Sequence, residues 1–306
     1  MAFVIACWAL ASRYLPITNH VVLLTAAVSP YLLVCALASA VLFAVSRHWI
    51  FTIVAVGLTA TMLAVQVPLY RADADRTGGV ELRVLSANLR EGNADPGLLV
   101  SSAREHADVL AFQELTPRAV DRLSAAGLDV TFPYRWLDAR AGGAGVGVWS
   151  RFPLHTTKRI DGYVMAFVSA QLQVPGASND PTVVVTHMPG PWPWPIDYWR
   201  HDLGRLPNTL RDEAEAAGGG AVVVAGDLNS TFDMSPFRAV LRNGYRDAAE
   251  QSGAGIVPTF PADRRFPPLL AIDHILTHGC TATSVRAVAL PGSDHRALVA
   301  TVQIAR

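Results

Sequence analysis

Six apolar runs beyond residue 80 of this 306-residue chain end the same way, on a carboxylate, amide or imidazole: Ser86-Ala87-Asn88, Phe112-Gln113-Glu114, Val185-Thr186-His187, Ala225-Gly226-Asp227-Leu228-Asn229, Ile272-Asp273-His274 and Gly292-Ser293-Asp294-His295. One Asp after a strand is usually a turn residue or a helix cap. Six such endings together make a chemically complete set for phosphoryl transfer. A hard cation such as Mg²⁺ takes oxygen ligands and binds through one or two carboxylates plus substrate phosphate; Glu114, helped by Asn88 or Asp294, supplies them. The reaction further needs an activated water and stabilisation of charge on the phosphoryl oxygens. Asp227 and His295 can handle the water, Asn229 and His187 the oxygens, and Asp273 can orient an imidazole.

These residues need strand ends to hold them. Strand candidates are Leu82–Asn88, Val109–Gln113, Gly145–Ser150, Tyr163–Val174, Thr182–His187, Ala221–Asp227, Leu270–Leu276, Val285–Leu290 and Leu298–Ile304. Helix candidates are Pro96–His106, Pro117–Ala126, Ile196–Ala217 and Ser235–Asn243, with Pro near several starts. Strands interleaved with helices imply an α/β class with mixed sheets covered by helices. Ligands in such proteins gather at strand ends and the loops beyond them.

Residues 1–70 differ in kind. They contain two basic residues, Arg13 and Arg47, and no Asp or Glu. Val21–Val45 and Trp49–Leu69 are uncharged runs of the roughly 20 residues that a bilayer core requires, joined at Ser46-Arg47-His48. They predict two membrane-crossing helices, with Pro30 tolerated inside the first, and Met1–Leu15 a marginal third. A cleaved signal peptide fits poorly, since no positive region opens the chain and two further runs follow. Arg47 favours a cytoplasmic hairpin turn and an extracytoplasmic domain; Arg13 points the other way. The expected organisation is an anchor over 1–70, a polar linker over 71–79 and a catalytic domain over 80–306.

Beyond residue 70 the charge is slightly negative, which gives no general attraction for nucleic acid. Cys7, Cys35 and Cys280 show no CxxC spacing, which argues against a disulfide framework or a zinc site. Lys158 is the single lysine, a bias expected of a GC-rich bacterial genome.

The segments VLSANL, DVLAFQE, VVVTHMPGP, VVVAGDLNST, AIDHIL and GSDHRALVATV, in this order over residues 82–302, resemble the endonuclease/exonuclease/phosphatase (DNase I-like) superfamily. The resemblance implies a four-layer sandwich of two packed sheets flanked by helices, and dependence on Mg²⁺ or Mn²⁺. It implies Glu114 as principal metal ligand with Asn88 and Asp294 nearby. Asp227 and Asn229 would position water and bind phosphate, Asp273 would orient His295, and His187 would contact phosphate. Arg90 stands where many relatives carry an acidic residue, and His274 is expected only to pack or hydrogen-bond locally. The hydrophobic N-terminus, with Gly253-Ala254-Gly255 ahead of Thr259-Phe260-Pro261, is similar to a membrane-anchored bacterial branch that includes the teicoplanin-resistance protein. That likeness implies an extracytoplasmic enzyme acting on envelope lipid phosphates.

Substrate choice rests on Met188–Trp199, where Trp192, Trp194, Tyr198 and Trp199 crowd beside a catalytic strand. Such rings suit an amphiphilic substrate at a membrane surface; the competing expectation is that they pack on the core. A membrane-tethered nuclease and a non-catalytic envelope binding protein are the alternatives to a lipid-phosphate hydrolase.

Overall fold

The computed structural model describes residues 1–73 and 78–306. Four N-terminal helices come first: α1 (Ala2–Ser12), α2 (His20–Val28), α3 (Leu33–Val45) and α4 (Trp49–Ala64), then a short 3-10 turn, Val67–Tyr70. The elements β1 (Val80–Asn88), α5 (Pro96–His106), β2 (Val109–Gln113), α6 (Pro117–Ala125), α7 (Leu128–Thr131), β3 (Tyr134–Asp138) and β4 (Val146–Ser150) follow. The second half comprises β5 (Leu154–Arg159), β6 (Phe167–Leu172), β7 (Thr182–His187), α8 (Ile196–Ala216), β8 (Val222–Asp227), α9 (Ser235–Val240), β9 (Arg246–Asp247), α10 (Ala248–Ser252), β10 (Asp273–His278), β11 (Thr281–Val288) and β12 (Ala297–Ile304).

The strands form two six-stranded sheets, ordered β11-β12-β1-β2-β4-β3 and β5-β6-β7-β8-β10-β9. Each has one parallel pair at its centre, β1/β2 in the first and β7/β8 in the second, with antiparallel strands around it. Apolar residues from the facing sides, including Val84, Val109, Val148, Val168, Val185, Val223 and Ala300, fill the space between the sheets. Leu99, Leu123 and Phe132 cover the outer face of the first sheet, and Leu203, Leu206 and Phe237 that of the second. The result is the expected α/β arrangement of two packed mixed sheets flanked by helices.

The parallel pairs place the site. Registers Asn88↔Gln113 and His187↔Asp227 bring two strand ends together in each sheet, and antiparallel β10 begins opposite with Asp273↔Asp227. Gly226 is required here: a Cβ at this residue would lie 1.9 Å from the Thr186 carbonyl oxygen on β7.

The N-terminus departs from the expectation of two continuous crossings. Among the described residues no single helix is long and apolar enough to cross a membrane. The first run breaks into α2 and α3, bent by 76°. Pro30 sits in the break, where it has no N–H for the helical ladder and its ring crowds the preceding turn. The second run is a 16-residue helix, α4, followed by the 3-10 turn that contains Pro68. Nor does this segment hang from a free tether. Ile17, Val22, Leu23, Ala26 and Ala27 share an apolar cluster with Leu228, Met234 and Phe237. The Leu69 carbonyl accepts from the Gly255 N–H at 2.7 Å, and Asp73 pairs with Arg246 at 3.3 Å. Residues 74–77 of the expected linker lie outside the described residues.

At the junction Arg13 forms a buried ion pair with Asp233, which also accepts from Gln66 Nε2 at 2.7 Å. The Arg13 carbonyl accepts in turn from Arg238. Replacing Arg13 with Met leaves the Asp233 carboxylate buried with one neutral donor. Loss of one partner of a buried pair costs about 3–5 kcal/mol. Thermal unfolding of the full chain in detergent should show this as a large drop in midpoint, and an unchanged midpoint would remove Arg13 from the junction.

Candidate active site

The strand ends converge on one open cleft of about 820 Å³, lined by Arg90, Glu91, Glu114, His187, Asp227, Asn229, Asp294 and His295 among others. Of the eight residues singled out from the sequence, these include all but Asn88 and Asp273, which are buried directly behind it. Asn88 Nδ2 joins the two sheets, donating to Glu114 Oε1 at 3.0 Å and Asp227 Oδ2 at 3.0 Å.

Local backbone strain marks the site. Arg90, Glu91, Glu114 and Asn229 all have positive φ, between 48° and 53°, a region that non-glycine residues occupy at a cost and hold only when their surroundings enforce it. For Glu114 the enforcing contact is the Glu91 N–H, which donates to Oε2 at 2.7 Å. Asn229 is pinned by its N–H to Asp227 Oδ1 at 2.8 Å and by Nδ2 to the Met188 carbonyl at 2.9 Å.

Asp227 lies between two imidazoles, 3.6 Å from His187 Nε2 and 3.7 Å from His295 Nε2. Burial and the neighbouring Asp273 push its carboxyl up to about 6, against the lowering pull of His295 and His187. His295 Nδ1 meets Asp273 Oδ2 at 2.8 Å. Burial opposes charge on this ring, but Asp273 and Asp227 outweigh it and raise His295 to about 10. With carboxylates facing both nitrogens, the ring is an imidazolium at neutral pH. The Phe260 ring lies against it, centroids 4.9 Å apart, which places Thr259-Phe260-Pro261 over the terminal SDH motif.

Two places could hold a cation. Asp227, Asp273 and His295 offer ligand atoms within 4.8 Å of one another, but the Asp273–His295 hydrogen bond already occupies Nδ1. Glu114 is half-buried and faces the cleft, and among the described residues its oxygens meet only an amide and a backbone N–H, with no cationic side chain. A carboxylate held by neutral donors in a polar cleft fits a hard divalent cation. Asp294 also lines the cleft, but its carboxylate faces Arg90, with Nε at 4.0 Å. Arg90 is held as well by Asp263 at 3.2 Å. The residue that replaces an acidic position thus draws on Asp294, the expected neighbour of the metal.

The aromatic stretch divides. Trp192 and Trp194 are 75% and 54% exposed and line the cleft, whereas Trp199 is fully buried. Trp199 belongs to the core: its Nε1 donates to the Asn229 carbonyl at 3.1 Å and lies 3.2 Å from Ser230 Oγ. Trp192 and Trp194 stay exposed at the cleft, while the expectation of packing on the core holds for Trp199. The sequence reading missed this support, Glu91 in the cleft wall, and the Gly143 carbonyl 2.9 Å from His187 Nδ1. Only Glu91 had a signal, as a carboxylate three residues after Asn88.

Solved structures share this fold. A Bacteroides vulgatus endonuclease/exonuclease/phosphatase is 17% identical over 74% of this chain and 99% of its own, with a TM-score of 0.61. A Neisseria 3′ phosphatase bound to a product DNA hairpin is 18% identical over 72% and 98%, with a TM-score of 0.59. A Bacteroides thetaiotaomicron mannosyl-6-phosphatase is 14% identical over 72% and 99%, with a TM-score of 0.58. No curated protein matches the sequence. Residues 85–295 match the Endonuclease/Exonuclease/phosphatase family, and with the two-sheet sandwich and the convergent strand-end residues the chain belongs to that family.

Proposed function

We propose that this chain is a membrane-attached, divalent-cation-dependent phosphoesterase that hydrolyses a phosphate, pyrophosphate or phosphodiester of an amphiphilic, lipid-linked substrate. Glu114 and Asn88 would hold the cation, Mg²⁺ or Mn²⁺, with Asp294 nearby. When bound, it offsets charge on the phosphoryl oxygens. Water attacks phosphorus and its proton passes to the Asp227 carboxylate; the P–O bond on the opposite side breaks, and the leaving oxygen takes a proton from solvent. Asn229, His187 and the His295 imidazolium face the phosphoryl oxygens, and Asp273 fixes the orientation and charge of His295.

One observation carries the substrate class. The loop bearing exposed Trp192 and Trp194 forms a wall of the cleft and is fastened to the N-terminal helices. His20 Nε2 lies 2.9 Å from the Pro191 carbonyl, and its ring meets Trp192 at 5.4 Å. The cleft mouth therefore adjoins the start of α2, and α2 to α4 beyond it expose Leu24, Val34, Val41, Leu42, Ile50, Ile53 and Val54. An apolar surface of this size needs cover, and a bilayer is the cover proposed.

The contacts Phe3–Phe43 and Phe43–Phe51 gather the ends of α1, α3 and α4 near Arg47. Arg13 and Gln66 meet the catalytic domain at the other end of the bundle. We place Arg47 in the cytoplasm and the domain outside. A 16-residue helix is about 24 Å long, so the bilayer thins locally around the bundle. A membrane-tethered nuclease is the second reading, favoured by the DNA-bound structural neighbour. Against it, Arg90 is the sole Arg or Lys among the described residues lining the cleft, where nucleic-acid grip needs several.

The test compares a lipid phosphate in vesicles, a small soluble phosphoester and DNA, using the full chain with Mg²⁺ or Mn²⁺. Replacing Trp192 and Trp194 with Ala removes apolar contact worth roughly 1.5–3 kcal/mol per large side chain. Turnover of the lipid phosphate should fall at least tenfold, with that of the soluble ester unchanged. Equal losses on both, or a preference for DNA that falls steeply with salt, would sink the lipid assignment.

A further inference from the structure

His274 follows Asp273 on β10 but faces away from the cleft, buried against the Phe237 ring at 4.1 Å. Its Nδ1 lies 2.5 Å from Asp247 Oδ2 and its Nε2 lies 2.7 Å from the Ser230 carbonyl oxygen. Both partners are acceptors, so both ring nitrogens donate and the ring is an imidazolium. Asp247 is itself fixed as the N-cap of α10, with Oδ1 accepting from the Ala249 N–H at 2.7 Å.

The Ser230 carbonyl is one residue beyond Asn229, whose backbone is left-handed at φ 48°. A non-glycine residue stays there only if its neighbours over-determine it. The carbonyls from Leu228 to Ser230 are each occupied: the first by Ser230 Oγ at 2.9 Å, the second by Trp199 Nε1 at 3.1 Å, the third by His274. Of these donors only His274 is charged, and charge-assisted bonds are the stronger kind. We infer that His274, clamped by Asp247, is a positioning residue that holds the 228–230 turn so that the Asn229 amide is fixed at the cleft. It never touches substrate. The inference rests on the reading of Asn229 as a phosphate-oxygen donor.

Two substitutions separate the two bonds. His274→Gln keeps a donor near the position of Nε2 and loses the Asp247 contact; His274→Asn keeps a donor near Nδ1 and loses the Ser230 contact. Each disturbs the buried pair, so both should lower the unfolding midpoint of the full chain in detergent. In hydrolysis of bis(p-nitrophenyl) phosphate, His274→Asn should lower kcat roughly 10- to 100-fold with KM little changed, because a small misplacement of a positioning group has that effect. His274→Gln should recover most of kcat despite its lower midpoint. Amide hydrogen exchange across 228–231 should accelerate in the Asn variant and remain slow in the Gln variant, whether or not any ester is turned over. Losses that track the midpoint equally in both, or wild-type kcat and exchange in His274→Asn, would overturn the inference. Correct exchange behaviour with no hydrolysis by the wild-type chain would overturn the phosphoesterase reading, and the catalytic purpose of the clamp with it.

Discussion

Glu114→Gln should lower phosphoester hydrolysis by about 10²–10³-fold, the scale on which removing one electrostatic contact to the transition state acts. The substitution keeps size and shape. Its side-chain oxygen can still accept from Asn88 Nδ2, now 3.0 Å from Oε1, but an amide NH₂ would face the Glu91 N–H, now 2.7 Å from Oε2. The main loss is the negative charge that a hard cation needs. Two readouts therefore move together: turnover collapses, and the remaining rate no longer responds to added Mg²⁺ or Mn²⁺ in the wild-type range. The φ of 53° at Glu114 loses its Glu91 contact in the variant, so the unfolding midpoint should also fall and is measured beside the rate. Wild-type chain that turns over at full rate in EDTA would remove the cation from the chemistry and return Glu114 to a structural role.

The ends of β1, β2, β7 and β8 were legible because the apolar run stops abruptly on a polar residue, whereas Asp273 opens β10 and Asp294-His295 precede β12. β2 and β7 have the expected bounds, and β8 differs by one residue at its start. The missed strands lack that signature. β3 reads YRWLD and β5 LHTTKR, both edge strands with exposed residues, while β9 is two residues long. Tyr163–Ala166 was expected to extend β6, but Tyr163 packs edge-on against Phe167 and bonds Thr209 from outside the sheet. Near the site, the sequence identified residue types at strand ends but could not see their supports. Arg13–Asp233 spans 220 residues and His274–Asp247 spans 27. The same limit applies in part to the N-terminus. Hydropathy averages over Pro30, the sequence signal for the 76° bend between α2 and α3, while the docking of α2 onto the domain has none.

Activity should follow a bell in pH, rising through about 6 as the Asp227 carboxyl ionises and falling through about 10 as His295 loses its proton. The signs follow from the roles: Asp227 must be unprotonated to take the proton of water, and His295 must be charged to face the phosphoryl oxygens. The two limbs belong to the coupled Asp227–Asp273–His295 cluster, so substitutions in it should shift them predictably. His295→Gln should lower kcat by about 10²–10³-fold, the scale for removing one electrostatic contact to the transition state, and abolish the alkaline limb. It should also move the acid limb to higher pH, because the His295 charge lowers the Asp227 pKa. Asp273→Asn should act oppositely on that limb. Asp273 raises Asp227 and supports the His295 charge, so its neutralisation should move both limbs to lower pH. The required measurement is kcat against pH for the three chains at saturating cation. If His295→Gln retains an alkaline limb near 10, another group titrates there, and the His295 charge is not what activity requires.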